Sequence, residues 1–126
     1  MSAPEASIEA LYATGHWLYT AARFADAAIV FRMMALADET DERAWLALGG
    51  CHEGIGQHAI AATLYELAGT VASPAIRCTI ARARSLRTLG RDDEAEMTME
   101  HARELALEHG DDDLADLAAR ELRDPS

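Results

Sequence analysis

His52 and Glu53, with His58 six positions on, are the residue types from which a zinc-hydrolase helix is built. That chemistry needs two histidines one turn apart on one helix, with a glutamate placed as general base. Here six positions separate the histidines and Gly54 and Gly56 fall between them, so the ligand pair does not form. His101 and His109 lie eight apart on a polar stretch and read as solvated surface. Asp111, Asp112 and Asp113 are consecutive, whereas a calcium loop alternates its oxygen ligands. There is no glycine-rich phosphate loop, and no serine or cysteine has a base at a reachable position. Cys51 and Cys78 fall on neighbouring parallel helices, offset by about 10 Å of rise, too far for a disulfide. They are expected as buried free thiols. The sequence thus predicts no catalytic residue, no metal site, no cofactor and no enzymatic activity.

What the chain does contain is a period. Ala27, Ala61 and Ala95 recur at a spacing of 34, as do Phe31, Tyr65 and Met99, and Ala22, Gly56 and Gly90. Leu11, Trp45 and Thr79 obey the same offset, as do Gly15, Gly49 and Ala83, then Leu18, His52 and Leu86, then Met34, Ala68 and Ala102. A 34-residue period with small residues at fixed places marks a tetratricopeptide array, in which each repeat is an antiparallel helix pair. The expected fold is all-α: three helix pairs forming a concave superhelix, with a C-terminal capping helix. Repeats are placed at about 8–41, 42–75 and 76–109, within one domain spanning 1–126.

The helices are expected at about Pro4 to Ala21, Phe24 to Ala37, Glu42 to Gly54 and His58 to Val71. A fifth opens at Ser73 and Pro74 and lasts to Gly90, and a sixth runs from about Asp92 to His109. Ser2, Pro4 and Glu5 resemble a helix start, and Asp41 is a cap. The seventh, about Asp112 to Leu122, carries Leu114, Leu117, Ala118 and Leu122 on one stripe, as a terminal helix should. The small residues let paired helices approach, and Phe31, Tyr65, Met99 and Trp45 fill the core.

Composition narrows the partners. The 126 residues carry a formal net charge of −11 and contain no Lys. An acidic chain without a basic run is a poor match for nucleic acid, whose affinity rests on phosphate neutralisation, or for an anionic membrane. No apolar stretch approaches the roughly 18 residues that span a bilayer, and no secretion signal is visible. The expected location is the cytosol.

The first helices of successive repeats line the concave face. Removing their packing positions leaves Tyr12, His16 and Tyr19, then Arg43, Leu46, Gly50 and Glu53, then Arg77, Ile80, Arg84 and Arg87. The predicted groove is aromatic and apolar at one end and Arg-rich at the other, the residue types enriched at binding hot spots. The alternative for Tyr12 and Tyr19 is docking against their own repeat; for Arg77, Arg84 and Arg87 it is pairing with acids on the last helices.

The stretches "LYATGHWLYTAARFADAAIVFR" and "RAWLALGGCHE", with Gly56, Ala61, Tyr65, Gly90, Glu94, Ala95 and Glu96, resemble the class II chaperones of type III secretion. The resemblance covers about residues 10 to 107. It implies a three-repeat chaperone of the bacterial cytosol that holds an extended segment of a pore-forming translocator in its groove. It assigns that groove to Tyr12, His16, Tyr19, Leu46 and Ile80, with His16 standing where the family usually has an aromatic. Such chaperones often self-associate through a helical segment before the first repeat. Only about ten residues precede it here, so a weak homodimer or a monomer is expected. The alternative function is a general repeat scaffold with no secretion role. The variety that clamps a carboxylate with Lys and Asn is disfavoured, because Tyr12, Leu46 and Ile80, and Ala13, Ala47 and Ala81, occupy the clamp positions.

Overall fold

The computed structural model describes residues 5–124. It is all-helical: α1 (Glu5–Thr20), α2 (Phe24–Ala37), α3 (Glu42–Gly54), α4 (His58–Val71), α5 (Ile76–Thr88), α6 (Asp92–Glu108) and α7 (Asp112–Arg123). The helix start expected at Ser2 and Pro4 lies outside the described residues. Each helix packs on the next in the chain, and α1–α3, α3–α5 and α5–α7 also touch. The odd-numbered helices therefore form one layer, and the even-numbered ones back it.

Four helices end in the same hydrogen-bonded motif. The N–H groups of Arg23, Gln57, Arg91 and Asp111 donate to the carbonyls of Leu18, His52, Leu86 and Ala106 at 2.8–2.9 Å. The residue before each donor is left-handed: Ala22 at φ 59°, Gly56 at 77°, Gly90 at 79° and Gly110 at 70°. This Schellman closure satisfies carbonyls that the helix end would otherwise orphan. It explains why a small residue recurs at 22, 56 and 90.

The Ser73–Pro74 pair does not open the fifth helix. Ala75 sits at φ 47° and ψ 47°, and α5 begins at Ile76 without a side-chain cap. A left-handed residue cannot continue into a right-handed helix, so the start shifts downstream. Asp41 does cap α3, accepting from the Arg43 N–H at 3.1 Å, and Asp111 caps α7 through the Leu114 N–H.

Within each pair, a small residue faces a large one. A Cβ added at Gly15 would lie 2.5 Å from the Phe31 ring, and one at Gly49 would lie 2.1 Å from the Tyr65 ring. In the third pair Ala83 and Met99 share one core cluster, both fully buried. A flexible thioether leaves room for a methyl group where a rigid ring does not. Trp45 is half-buried, packs against the clusters on both sides of it, and donates its Nε1–H to the Glu39 carbonyl at 2.8 Å. Leu114, Ala115 and Ala118 of α7 are buried against α5 and α6, with Leu117 and Leu122 at the margin.

Cys51 and Cys78 are free and fully buried. Burial pushes the Cys51 thiol up to about 11, and burial beside Glu42 raises Cys78 further. Since the thiolate is the reactive form, native protein at neutral pH should react with a thiol reagent far more slowly than unfolded protein. A titration with and without denaturant reads this directly. Rapid modification of both thiols in the native chain would contradict the packing.

Candidate peptide-binding groove

On α1 the residues sort into stripes at helical spacing. Ile8, Gly15 and Leu18 are buried toward α2, while Tyr12, His16 and Tyr19 turn toward α3. The facing positions of α3 are Arg43, Leu46, Ala47 and Gly50. Together with Phe31 beneath, they enclose a cavity of about 210 Å³ that is mainly apolar. Tyr12 lies 6.2 Å from Phe31 and 6.1 Å from His16, ring centre to ring centre. Tyr19 meets Phe24 edge-on at 5.2 Å and stays 39% exposed. Gly50 keeps the mouth open: a Cβ there would make ordinary contact with the Tyr19 ring at 3.6 Å, but a larger side chain would fill the space.

Arg43 forms the rim. Its guanidinium lies 4.8 Å over the Tyr12 ring and bonds Glu9 at 2.6 Å and Asp41 at 2.8 Å. Those hydrogen bonds raise the Arg43 pKa and hold the Asp41 and Glu9 carboxyls below their ordinary values. A carboxylate depressed on folding stabilises the fold above its unfolded value, and that contribution is lost as pH falls through the folded one. With ordinary values of 3.8 and 4.5, the loss belongs below about pH 4.5. Arg43→Gln should flatten the acid limb of a series of thermal melts at falling pH. An unchanged limb would mean the carboxylates are not held by Arg43.

Three expected groove residues are engaged within the fold. Ile80 is 3% exposed and packs with Ile76, Ala106 and α7, so it belongs to the core and not to the groove. α7 packs beside α5 as α3 packs beside α1, and its Leu114, Ala115 and Ala118 share the core cluster that buries Ile80. Arg84 is held by Glu121 of α7, with Nε to Oε1 at 2.9 Å, which raises its pKa; the internal pairing is the one that forms. Glu53 turns to the junction between repeats, where it accepts from Ser85 Oγ at 2.5 Å and lies 3.3 Å from His58 Nδ1. That order places the carboxylate between hydroxyl and imidazole, and Ser85 is 1% exposed, so the trio is no nucleophile site. Arg87 is half-buried; Arg77 is exposed on α5 as expected, and Arg84 stays exposed while paired.

Sequence reasoning missed two pocket residues. Phe31 serves as both core and floor, and Ala47 completes the wall. The glycine at 15 was the available signal for Phe31, since it lets the ring slide under α1. A second, larger cleft of about 500 Å³ lies by the α2–α3 turn, lined by Leu36, Trp45, Leu48 and Leu64 and rimmed by Arg32, Asp38 and Glu39. Among the described residues no cluster of three His, Cys, Asp or Glu is placed to hold a metal, and no helix is long and apolar enough to cross a membrane.

No family profile and no curated protein sequence matches the chain. Solved structures do. The type III secretion translocator chaperone SycD of Yersinia enterocolitica superposes with a TM-score of 0.86 at 26% identity, covering 95% of this chain and 90% of SycD. PcrH from Pseudomonas aeruginosa gives 0.85 at 29%, over 97% and 93%. PcrH in complex with the chaperone binding region of PopD gives 0.82 at 30% identity, over 96% of this chain and 92% of that one. This chain belongs to the type III secretion translocator chaperones. In this chaperone the apolar pocket lies between the first two inner helices, and the third inner helix is closed off by α7.

Proposed function

We propose that this chaperone binds an extended segment of a secreted translocator in the α1–α3 groove and keeps it soluble before export. The observation that carries the reading is the open pocket of Tyr12, Tyr19, Leu46 and Gly50, in a fold that matches client-bound PcrH over nearly its whole length. The three 34-residue units and the capping helix act as one body in the bacterial cytosol, by binding and not by catalysis.

The chemistry of the client follows from the groove. Two or three apolar anchors fit the pocket, and an extended backbone follows the groove between α1 and α3. Arg43 is already neutralised by two carboxylates and Arg84 by Glu121, in a chain of net charge −11. Neutral or basic flanks therefore suit this surface better than the acidic ones an Arg-rich end would have favoured.

The test is co-expression with a translocator that precipitates alone. Recovery of the translocator in the soluble fraction, bound to this chain, is the expected result. Precipitation in the presence of the chaperone would remove the proposal.

A further inference from the structure

The backing layer holds two troughs between successive even-numbered helices, and their chemistry differs. α2 and α4 both pack on α3, and α4 and α6 both pack on α5, so α3 floors the first trough and α5 the second. The second trough is filled from within. Arg82 rises from α5, its side chain 24% exposed, and reaches Glu66 of α4 at 3.4 Å. The same guanidinium donates to Thr98 Oγ1 of α6 at 3.4 Å. One period earlier these three positions are Leu48, Arg32 and Leu64. The long filler has become a short buried leucine, the acid has become a cation, and the hydroxyl has become apolar. The result is the open cleft of about 500 Å³, floored by Trp45 and Leu48, with Leu64 on the α4 wall and Arg32 and Leu36 on the α2 wall. Leu36 is 83% exposed, and on α4 the exposed Ile60 and Leu67 stand one turn to either side of Leu64. Among the described residues Arg32 has no hydrogen-bond or ion-pair partner.

We infer that this first trough docks an amphipathic helix of a partner protein distinct from the client, with apolar side chains on Trp45, Leu48 and Leu64 and a carboxylate against Arg32. The second trough shows what completes such a space: an aliphatic stem that fills it and a charge opposite in sign to the one on the wall. In the first trough the wall charge is a cation and the filler is missing, so the complement is apolar bulk carrying an acid. At the turn end, Asp38 is already held by the Thr40 hydroxyl at 2.6 Å, and Glu39 sets that end against a further acid. The carboxylate therefore belongs beside Arg32. A helix is selected by the spacing of the wall. Ile60, Leu64 and Leu67 span about 10 Å of axial rise, which matches anchors at i, i+3 or i+4, and i+7 of a helix lying along them. Trp45 and Leu48 lie about 180° around α3 from the pocket residues Leu46 and Gly50, so partner and client can be held at once.

A fluorescence titration tests this, with a synthetic alanine-based helix as probe, carrying Leu at i, i+4 and i+7 and one Glu beside that row. The full chain with Trp17→Phe keeps Trp45 as its single indole, on the cleft floor. Its emission should respond saturably to the probe, and the Gly50→Leu change, which fills the client pocket, should leave that response unaltered. Leu36→Glu, at a side chain outside the core, should weaken binding by about tenfold. Replacing the probe's Glu by Gln should weaken binding by about two- to fivefold, and by nothing once Arg32→Ala is present. Arg32→Glu, Leu48→Arg and Leu64→Thr together rebuild the second trough in place of the first and should abolish binding. No response of Trp45 to the probe overturns the proposal, as does equal binding of the Glu and Gln probes. A response lost in Gly50→Leu would put the probe in the client pocket, and one kept by a proline-interrupted probe would mean an extended ligand. Emission that shifts with protein concentration alone would put a second copy in the trough. Each of these three also overturns it.

Discussion

Gly49→Ala should be among the most destabilising single-methyl changes in this chain. The added Cβ would lie 2.1 Å from the Tyr65 ring, a contact that neither helix backbone nor packed ring relieves without moving. Overpacking of this kind costs about 1–3 kcal/mol, and a domain of this size loses roughly 4 °C of melting temperature per kcal/mol. The third repeat supplies the remedy, because it pairs Ala83 with Met99 where the second pairs Gly49 with Tyr65. Adding Tyr65→Met to Gly49→Ala should therefore recover much of the lost stability, although Tyr65→Met alone leaves a void. Thermal melts of the two single variants and the double variant give the coupling directly. Additive losses would mean that the two sites do not form one packing unit.

The second large effect is on binding. Tyr12 and Leu46 are half-buried pocket walls, and an apolar client anchor of their size gains about 1.5–3 kcal/mol on burial. Tyr12→Ala or Leu46→Ala should weaken client binding about tenfold or more. Leu46→Ala is the cleaner probe, since Tyr12 also supports the Arg43 guanidinium and touches Phe31. A melt that falls sharply for Tyr12→Ala, with affinity per folded molecule unchanged, would place the tyrosine in the core and not in the groove.

The period made the helices legible because each repeat solves the same two problems in the same way. A small residue at 22, 56 and 90 closes the first helix, and a small residue at 15, 49 and 83 admits the large one at 31, 65 and 99. The same arithmetic misled at Ile80. Equivalence by sequence offset assumes equivalent side chains on the neighbouring helix, and Leu114, Ala115 and Ala118 of α7 close over Ile80 where Ala47 and Gly50 of α3 leave a cavity beside Tyr12. Arg84 followed Ile80 for that reason, since Glu121 exists only on α7. Glu53 was drawn to the repeat junction by Ser85, a hydroxyl at the position where the second repeat has Cys51. The late start of α5 had no visible signal: alanine at 75 does not advertise a left-handed backbone as glycine would.

The most direct test of the groove is a calorimetric titration, into wild-type and Gly50→Leu chains, of an extended segment of the translocator that co-expression recovers bound to this chain. The leucine would occupy the space that Gly50 leaves beside Tyr19 without entering the inter-helix core. The account predicts binding to wild-type, loss of binding to Gly50→Leu, and closely similar thermal melts for the two chains. Equal affinity for both, or no heat with either, would contradict it.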